Sequence, residues 1–204
     1  MMSSERVDGR TLRFQHRRPE LLAAATEYVL DHGITGLSLR PVAQALGVTH
    51  ATPLRHFSSK DKLIKCVLEK IRTDLIAQVT GDRELKEAGS TAQLLRITWR
   101  RLCEPKEQRG FLLLFEVVAG KAWQSGDGGE LVRSMEAEVV DFISGWLRQD
   151  GWAPEDASAL ATLLLAQIRG LQLDLLVSGD RARADRAFEF ALALLEPRTG
   201  PSVS

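Results

Sequence analysis

The spacing of apolar residues follows a helical repeat through nearly the whole chain, and no segment alternates as a strand does. Gly and Pro interrupt the repeat, most clearly in the loop at 81–89 and in the SGDGG run at 125–129. The predicted helices cover residues 19–32, 38–46, 49–56, 58–79, 91–103, 109–123, 130–149, 154–178 and 181–195. The chain is therefore predicted to be all-α.

The segment from Leu37 to Phe57, LSLRPVAQALGVTHATPLRHF, carries the most information. Ser38 is a good N-cap, and Pro41 falls in the first turn of a short helix, where its missing N–H costs little. Gly47 stands where that helix must end in left-handed geometry. A second short helix follows, which Thr49 can cap. A helix, a short turn and a second helix form the arrangement that places one helix in the major groove of DNA.

Residues from about 14 to 75 resemble the DNA-binding domain of the TetR family of bacterial transcriptional regulators. The matching pieces are LLAAATEYVLDHGITGLSLRPVAQALGV, RHF and SKDKLI, at 21–48, 55–57 and 59–64. The resemblance implies a three-helix helix-turn-helix domain joined by a long helix to an α-helical ligand-binding and dimerisation domain, about nine helices in all. The chain departs from the family at Pro53-Leu54, where many members carry Leu-Tyr. Leu54 cannot donate the hydrogen bond that this tyrosine commonly gives to a DNA phosphate.

Charge divides the chain in a way that suits DNA binding. The formal net charge is zero, but residues 1–72 hold 12 Lys and Arg against 7 Asp and Glu, a net charge of +5. A basic segment of this kind attracts DNA phosphates. The remaining residues carry a net charge of −5. We predict a flexible basic arm at 1–15, a DNA-binding domain at 16–76 and a helical ligand-binding and dimerisation domain at 77–204. The arm either enters the minor groove or stays solvated.

The polar residues of the motif are assigned to phosphates and to base edges. Helix N-termini direct backbone N–H groups at anions, so Arg40, Thr49 and Lys60 are expected to meet phosphates. Base edges are assigned to His50, Thr52 and Arg55, because Arg pairs with guanine and Thr offers a hydroxyl or a methyl group. His56 matches the family's His-Phe pair and is expected near a phosphate, while Phe57 is expected in the core. The predicted DNA-binding residues are Arg40, Thr49, His50, Thr52, Arg55, His56 and Lys60.

The last two predicted helices carry more apolar surface than one monomer core needs. Their apolar residues are Leu160, Leu163, Leu164, Ile168, Leu171, Leu173, Leu175, Leu176, Val177, Phe188, Ala191, Leu192 and Leu195. This surplus favours a homodimer through residues 154–195, packed as four helices. A two-fold dimer fits a near-palindromic operator whose half-sites are about 34–36 Å apart or somewhat more. The alternative is that other helices of the same monomer cover the apolar surface of both helices.

The run FLLLFEVVAG at 111–120 is apolar nearly all round, and Glu116 interrupts it. A carboxylate in that setting is either a structural ion pair, a solvent edge or a polar anchor for a small molecule. Gln167 raises the same question in a later helix. Aromatic residues at helical spacing suit either an ordinary core or the wall of a site for a largely apolar ligand. The candidate ligand-binding residues are Trp99, Phe111, Phe115, Glu116, Met135, Phe142, Trp146 and Gln167.

Other classes of function lack their motifs. The sequence has no H-E-x-x-H, C-x-x-C, G-x-S-x-G or phosphate-binding loop, so no enzymatic activity, cofactor or metal is predicted. Cys66 and Cys103 are interpreted as reduced thiols on helices. No run of about 18 apolar residues occurs, and a cytoplasmic protein is expected.

Together these observations predict a homodimeric DNA-binding regulator, namely a repressor that a small, largely apolar ligand releases from its operator. Two alternatives stay open. One is a transcriptional activator of the same fold. The other is a helical adaptor that binds proteins and never contacts DNA.

Overall fold

The computed structural model describes residues 9–34, 39–45, 47–49, 56–120 and 127–193, with side chains from Arg18 onward except those of residues 39, 45, 127 and 128. Within these ranges the elements are nine helices. They are α1 (Gly9–His32), α2 (Leu39–Ala45), α3 (Lys60–Gly81), α4 (Arg83–Lys86), α5 (Thr91–Leu102), α6 (Pro105–Ala119), α7 (Asp127–Gln149), α8 (Pro154–Ser178) and α9 (Arg181–Ala193). No strand occurs in the described ranges, and the all-α prediction is confirmed.

Three helices begin earlier than the sequence pattern predicts. Helix α1 starts at Gly9, so Pro19 lies inside the helix and not at its first position. A proline there removes one backbone hydrogen bond, a loss that the flanking turns of α1 tolerate. Pro105 was interpreted as a separator but is the first residue of α6, where proline needs no N–H partner. Helix α7 starts at Asp127, within the predicted SGDGG loop.

The predicted loop at 81–89 contains the one-turn helix α4. The Oδ1 atom of Asp82 accepts a hydrogen bond from the N–H of Leu85 at 3.0 Å, which caps the turn, and Leu85 is buried. Arg101 of α5 forms an ion pair with Asp82, and its guanidinium lowers the pKa of that carboxyl. The turn is therefore held by contacts with α5 that a helical repeat cannot reveal.

The start of α3 differs by one residue from what the sequence pattern indicates. Ser58-x-x-Asp61 is the spacing of a capping box and predicts Ser58 as the cap. The cap is instead Ser59, because its Oγ accepts the N–H of Lys62 at 3.2 Å. Ser58 instead has a positive φ of 63° and turns the chain into the helix.

The chain divides into two compact units, each with its own core. Unit 1 comprises residues 1–78 and 112–133, and unit 2 comprises residues 79–111 and 134–204. The core of unit 1 combines α1, α2, α3 and the second half of α6. Its most buried members include Ala25, Val29, Val42, Phe57, Leu63, Val67, Leu113 and Val117. The proposed domain boundary near residue 76 stays a prediction.

Unit 2 packs α5, α7, α8 and α9 around a second core. Trp99 stacks on Phe188, with ring centroids 5.0 Å apart and planes 12° apart. Its indole N–H donates to Oδ1 of Asp185 at 2.7 Å, so the polar atom of this buried ring is satisfied. The other core members are Leu95, Cys103, Ile143, Leu147, Ala157, Ala161, Leu164, Ile168, Leu175, Ala184 and Leu192.

Helix α8 is long and apolar enough to span a membrane by length and composition alone, with a mean hydropathy of 1.5 over 18 residues. The core helix of a soluble protein passes the same test. Seven of the α8 residues are buried, including Ala161, Leu164 and Ile168, and those three belong to the core of unit 2. We therefore describe α8 as a core helix of that unit.

The buried face of α3 generates a stability prediction. Leu63 has no exposed surface, whereas Leu75 on the same helix is 38% exposed. Leu63→Ala should lower the free energy of unfolding by about 2–5 kcal/mol, because it removes buried methyl groups and leaves a cavity. The matched change Leu75→Ala should alter it by no more than about 0.5 kcal/mol. Urea unfolding followed by circular dichroism measures both, and equal losses would contradict the described core.

Candidate nucleic-acid interface

The turn after α2 closes the first helix of the predicted helix-turn-helix. Gly47 has a φ of +61°, which confirms the predicted left-handed position. Its N–H donates to the carbonyl of Gln44 at 3.1 Å, and the N–H of Val48 donates to that of Ala43 at 2.9 Å. These two bonds form a Schellman closure, which satisfies carbonyls at the helix end and turns the chain sharply.

Both flanks of the predicted recognition segment are anchored in the core of unit 1. On the first side, Val42 and Ala43 are buried and Val48 packs against the core. On the other side, Phe57 is buried in that core, as predicted. His50, Thr52 and Arg55, together with Pro53 and Leu54, lie outside the described residues. Their assignment to base edges stays a prediction.

Three of the residues assigned to phosphates are exposed, and two of them stand at helix N-termini. Arg40 is the second residue of α2, and Lys60 is the first residue of α3. Thr49 follows the Gly47 turn and is also exposed. Exposed cations beside helix N-termini suit phosphate contacts.

His56 has a different setting from the other predicted phosphate contacts. Only 9% of its surface is exposed, and its ring lies 6.4 Å from that of Phe57, tilted by 51°. Such burial gives the ring a packing role in unit 1. Its contact with a phosphate stays a prediction.

The predicted ligand-binding residues of unit 2 have several different environments. Trp99 and Phe111 are buried, and Trp99 is occupied by its contacts in the core. Trp146 packs against a separate small cluster that contains Leu85 and Leu94. Met135 is half-buried, while Phe142 and Gln167 are exposed. For Trp99 the structure provides the alternative role, that of an ordinary core residue.

The two predicted ligand-binding residues of unit 1 lie on α6. Phe115 is 47% exposed, whereas Glu116 is half-buried. The Oε2 atom of Glu116 accepts a hydrogen bond from the backbone N–H of Ile34 at 2.6 Å. A backbone amide was absent from the alternatives that the sequence suggested for this carboxylate. The only local signal was Gly33, the residue before that amide, which ends α1 with a φ of +75°.

A groove of about 580 Å³ lies between α1 and α3 of unit 1, where the sequence suggested no site. Its walls carry both signs of charge, and Lys70 is paired with Asp74 at 2.9 Å. Arg18 lies beside the half-buried Cys66, with Nη2 3.9 Å from Sγ. The lining residues are Arg18, Pro19, Leu22, Cys66, Glu69, Lys70, Thr73 and Asp74.

The described residues contain no cluster of metal-ligating side chains, and the pKa of the Cys103 thiol is raised rather than lowered. No group of three His, Cys, Asp or Glu side chains within the described ranges is placed to hold a metal ion. Both cysteines are free, and burial raises the pKa of the Cys103 thiol to about 11. That thiol stays protonated at neutral pH, where it is a poor nucleophile.

Comparison with known proteins places the motif in a family. Residues 21–67 match the family model described as bacterial regulatory proteins, tetR family. The chain is 39% identical over 56 residues to an HTH-type transcriptional regulator of Mycobacterium bovis. That match covers 28% of this chain and 24% of the other protein. It is 26% identical over 165 residues to the nucleoid occlusion factor SlmA of Vibrio cholerae, covering 76% and 81% of the two chains.

A solved structure extends the similarity of fold to almost the whole chain. The crystal structure of a transcriptional regulator from Rhodococcus sp. Rha1 superposes with a TM-score of 0.75. The match covers 87% of this chain and 95% of that one at 24% sequence identity. The helices of both units therefore follow a fold that a known transcriptional regulator also has.

The glycine turn generates a prediction for this site. A Cβ added at Gly47 meets no atom within 4 Å, so its substitution is strained only through the positive φ. Gly47→Ala should therefore cost about 1–2 kcal/mol of folding free energy. Gly81→Ala is the matched control, because Gly81 ends α3 in open space without a positive φ and Ala favours the helix. Thermal unfolding of both variants tests this, and equal stability would contradict the left-handed turn.

Proposed function

Because the chain belongs to the TetR family of bacterial regulatory proteins, we propose that it is a homodimeric repressor whose operator binding is relieved by a small, largely apolar ligand. The observation that carries the DNA-binding part is the Schellman turn at Gly47, which lies inside the segment matched to the family. The proposed DNA-binding domain is 16–76, and 77–204 form the ligand-binding and dimerisation domain. Such a regulator acts on chromosomal DNA in the cytoplasm.

The proposed DNA contacts divide between the ends and the middle of the motif. Arg40, Thr49 and Lys60 fix the head on phosphates, and the net charge of +5 in residues 1–72 supports attraction to any duplex. His50, Thr52 and Arg55 supply sequence preference at base edges, and Arg55 is the natural partner for a guanine.

Dimerisation is proposed through α8 and α9, because the core of unit 2 leaves much of their apolar surface uncovered. Leu163, Gly170 and Val177 recur at seven-residue intervals and are all exposed, so they share one face of α8. Val177 is 82% exposed, and Phe190 of α9 is 77% exposed. A second copy that covers this surface also presents a second head, as a near-palindromic operator requires.

The proposed release mechanism is a shift between two populations. The ligand binds better to one conformation of the ligand-binding and dimerisation domain at 77–204. In that conformation the two DNA-binding domains of the dimer stand at a spacing that does not fit the operator, so the ligand lowers operator affinity. The candidate contacts are the eight residues named from the sequence, and the exposed Phe142 is among those able to meet a ligand. A transcriptional activator of the same fold shares every step except its effect on transcription. A reporter gene under the operator, once that operator has been selected from random duplexes, distinguishes a repressor from an activator.

The proposed readout of bases leads to a direct test. After selection of bound duplexes from a random pool, Arg55→Ala should weaken binding to the selected operator by about 1–3 kcal/mol, roughly 5–150-fold, and relax one base position. Arg148→Ala removes an exposed arginine from α7, outside the proposed interface, and should leave affinity unchanged. Electrophoretic shifts at constant salt measure both variants. A pool that enriches no sequence with the wild-type protein would overturn the proposed function.

The proposed interface is tested by the oligomeric state. Val177→Glu places a charge on the exposed apolar face of α8 and should convert the dimer to a monomer of 22.6 kDa. Ser158→Glu changes an exposed residue of α8 outside that face and should leave the dimer intact. Sedimentation equilibrium gives the mass of each variant. A wild-type monomer, or a Val177→Glu dimer, would exclude this interface.

A further inference from the structure

We propose that Glu116 is a positioning residue for the helix-turn-helix: its carboxylate holds the α1–α2 connection through the N–H of Ile34, and operator affinity depends on this contact. This inference rests on the proposed function and adds to it the contact through which the head is controlled. Both partners, Glu116 and the α1–α2 connection at Gly33 and Ile34, belong to unit 1.

The end of α1 is completed by a residue far away in the sequence. Gly33 closes the helix in the usual left-handed way, and its N–H donates to the carbonyl of Val29 at 2.8 Å. This single bond over four residues is the αL motif, which uses no second N–H. The next N–H, that of Ile34, donates to Oε2 of Glu116 at 2.6 Å. The acceptor for the residue after the helix end therefore comes from α6.

Gly33 also makes room for that carboxylate. A Cβ built on Gly33 stands 2.5 Å from Oε1 and 2.8 Å from Oε2 of Glu116, distances that real Cβ atoms do not show. A methyl group on Gly33 would therefore push the carboxylate away from Ile34. The φ of +75° strains any other residue at this position as well.

The hydrogen bond itself is of a strong kind. A bond from an amide to a carboxylate is stronger than one between two neutral groups. The distance from the N–H of Ile34 to Oε2 of Glu116 is 2.6 Å. This contact therefore fixes the residue that follows the end of α1.

The core of unit 1 holds both partners of this contact in place. Leu113 and Val117 on either side of Glu116 are buried in that core. Ile34 is 8% exposed and belongs to the same core. The donor and the acceptor are therefore both positioned by packing, and the donor stands five residues before α2.

The experiment uses the full-length protein and three variants. Glu116→Ala removes the acceptor, Glu116→Gln keeps an oxygen that can accept, and Glu107→Ala is the matched control on the same helix. Amide hydrogen exchange should be at least 10-fold faster at Ile34 in Glu116→Ala and unchanged at Gly33, whose partner is Val29. Glu116→Gln should lie between wild type and Glu116→Ala, and Glu107→Ala should match the wild type.

Two further readouts separate positioning from mere stability. Gly33→Ala should destabilise the wild type more than it destabilises Glu116→Ala, because the second background has no carboxylate to collide with the new methyl group. Glu116→Ala should also weaken operator binding at least 5-fold with an unchanged salt slope, since no phosphate contact is lost. The proposal would be overturned if exchange at Ile34 were unchanged in Glu116→Ala, or if Glu116→Ala kept full operator affinity. Additive effects of Gly33→Ala and Glu116→Ala on stability would also overturn it. If the wild type binds no duplex, the proposed function fails, while exchange and the double substitution still test the contact.

Discussion

The packing of α6 against α1 and α3 is the constraint on which the DNA-binding head depends. The head is the part of unit 1 that comprises α1, α2 and the start of α3. Val117 of α6 is almost wholly buried in the same core as Ala25 of α1 and Leu63 of α3. A DNA-binding domain of about 60 residues offers little apolar area, and such small cores are marginal without added surface. The second half of α6 supplies that surface. The head is therefore built from its own helices together with one that begins in unit 2.

This shared core explains how a sharp turn can be held in place. The Gly47 turn is closed by two backbone hydrogen bonds, but those bonds alone do not orient the residues after it. Val48 and Phe57 supply the orientation, because both pack into the core on either side of the predicted recognition segment. A recognition helix needs such anchors, since base contacts require a fixed register on the duplex.

The sequence predicted the helical class, the Gly47 turn and the buried Phe57, because each is recorded in a local pattern. It missed the contacts that join residues far apart. The partner of Glu116 is an amide 82 residues earlier in the chain, which no periodicity can indicate. Helix α4 was missed because Asp82 and Arg101 hold it from two different elements. Local patterns also misplaced the cap of α3 by one residue, since Ser58 and Ser59 are alike until φ is known.

The two units each contain a hydrogen bond that joins elements far apart in the chain. In unit 2, Asp185 of α9 accepts from both Trp99 of α5 and Arg181, each at 2.7 Å, so one carboxylate fixes the position of the Trp99 ring. In unit 1, Glu116 of α6 accepts from the amide of Ile34, which follows the end of α1. The Gly47 turn differs from both, because its own backbone closes it. The motif therefore combines a turn that a local segment specifies with an entrance that depends on a side chain 82 residues away.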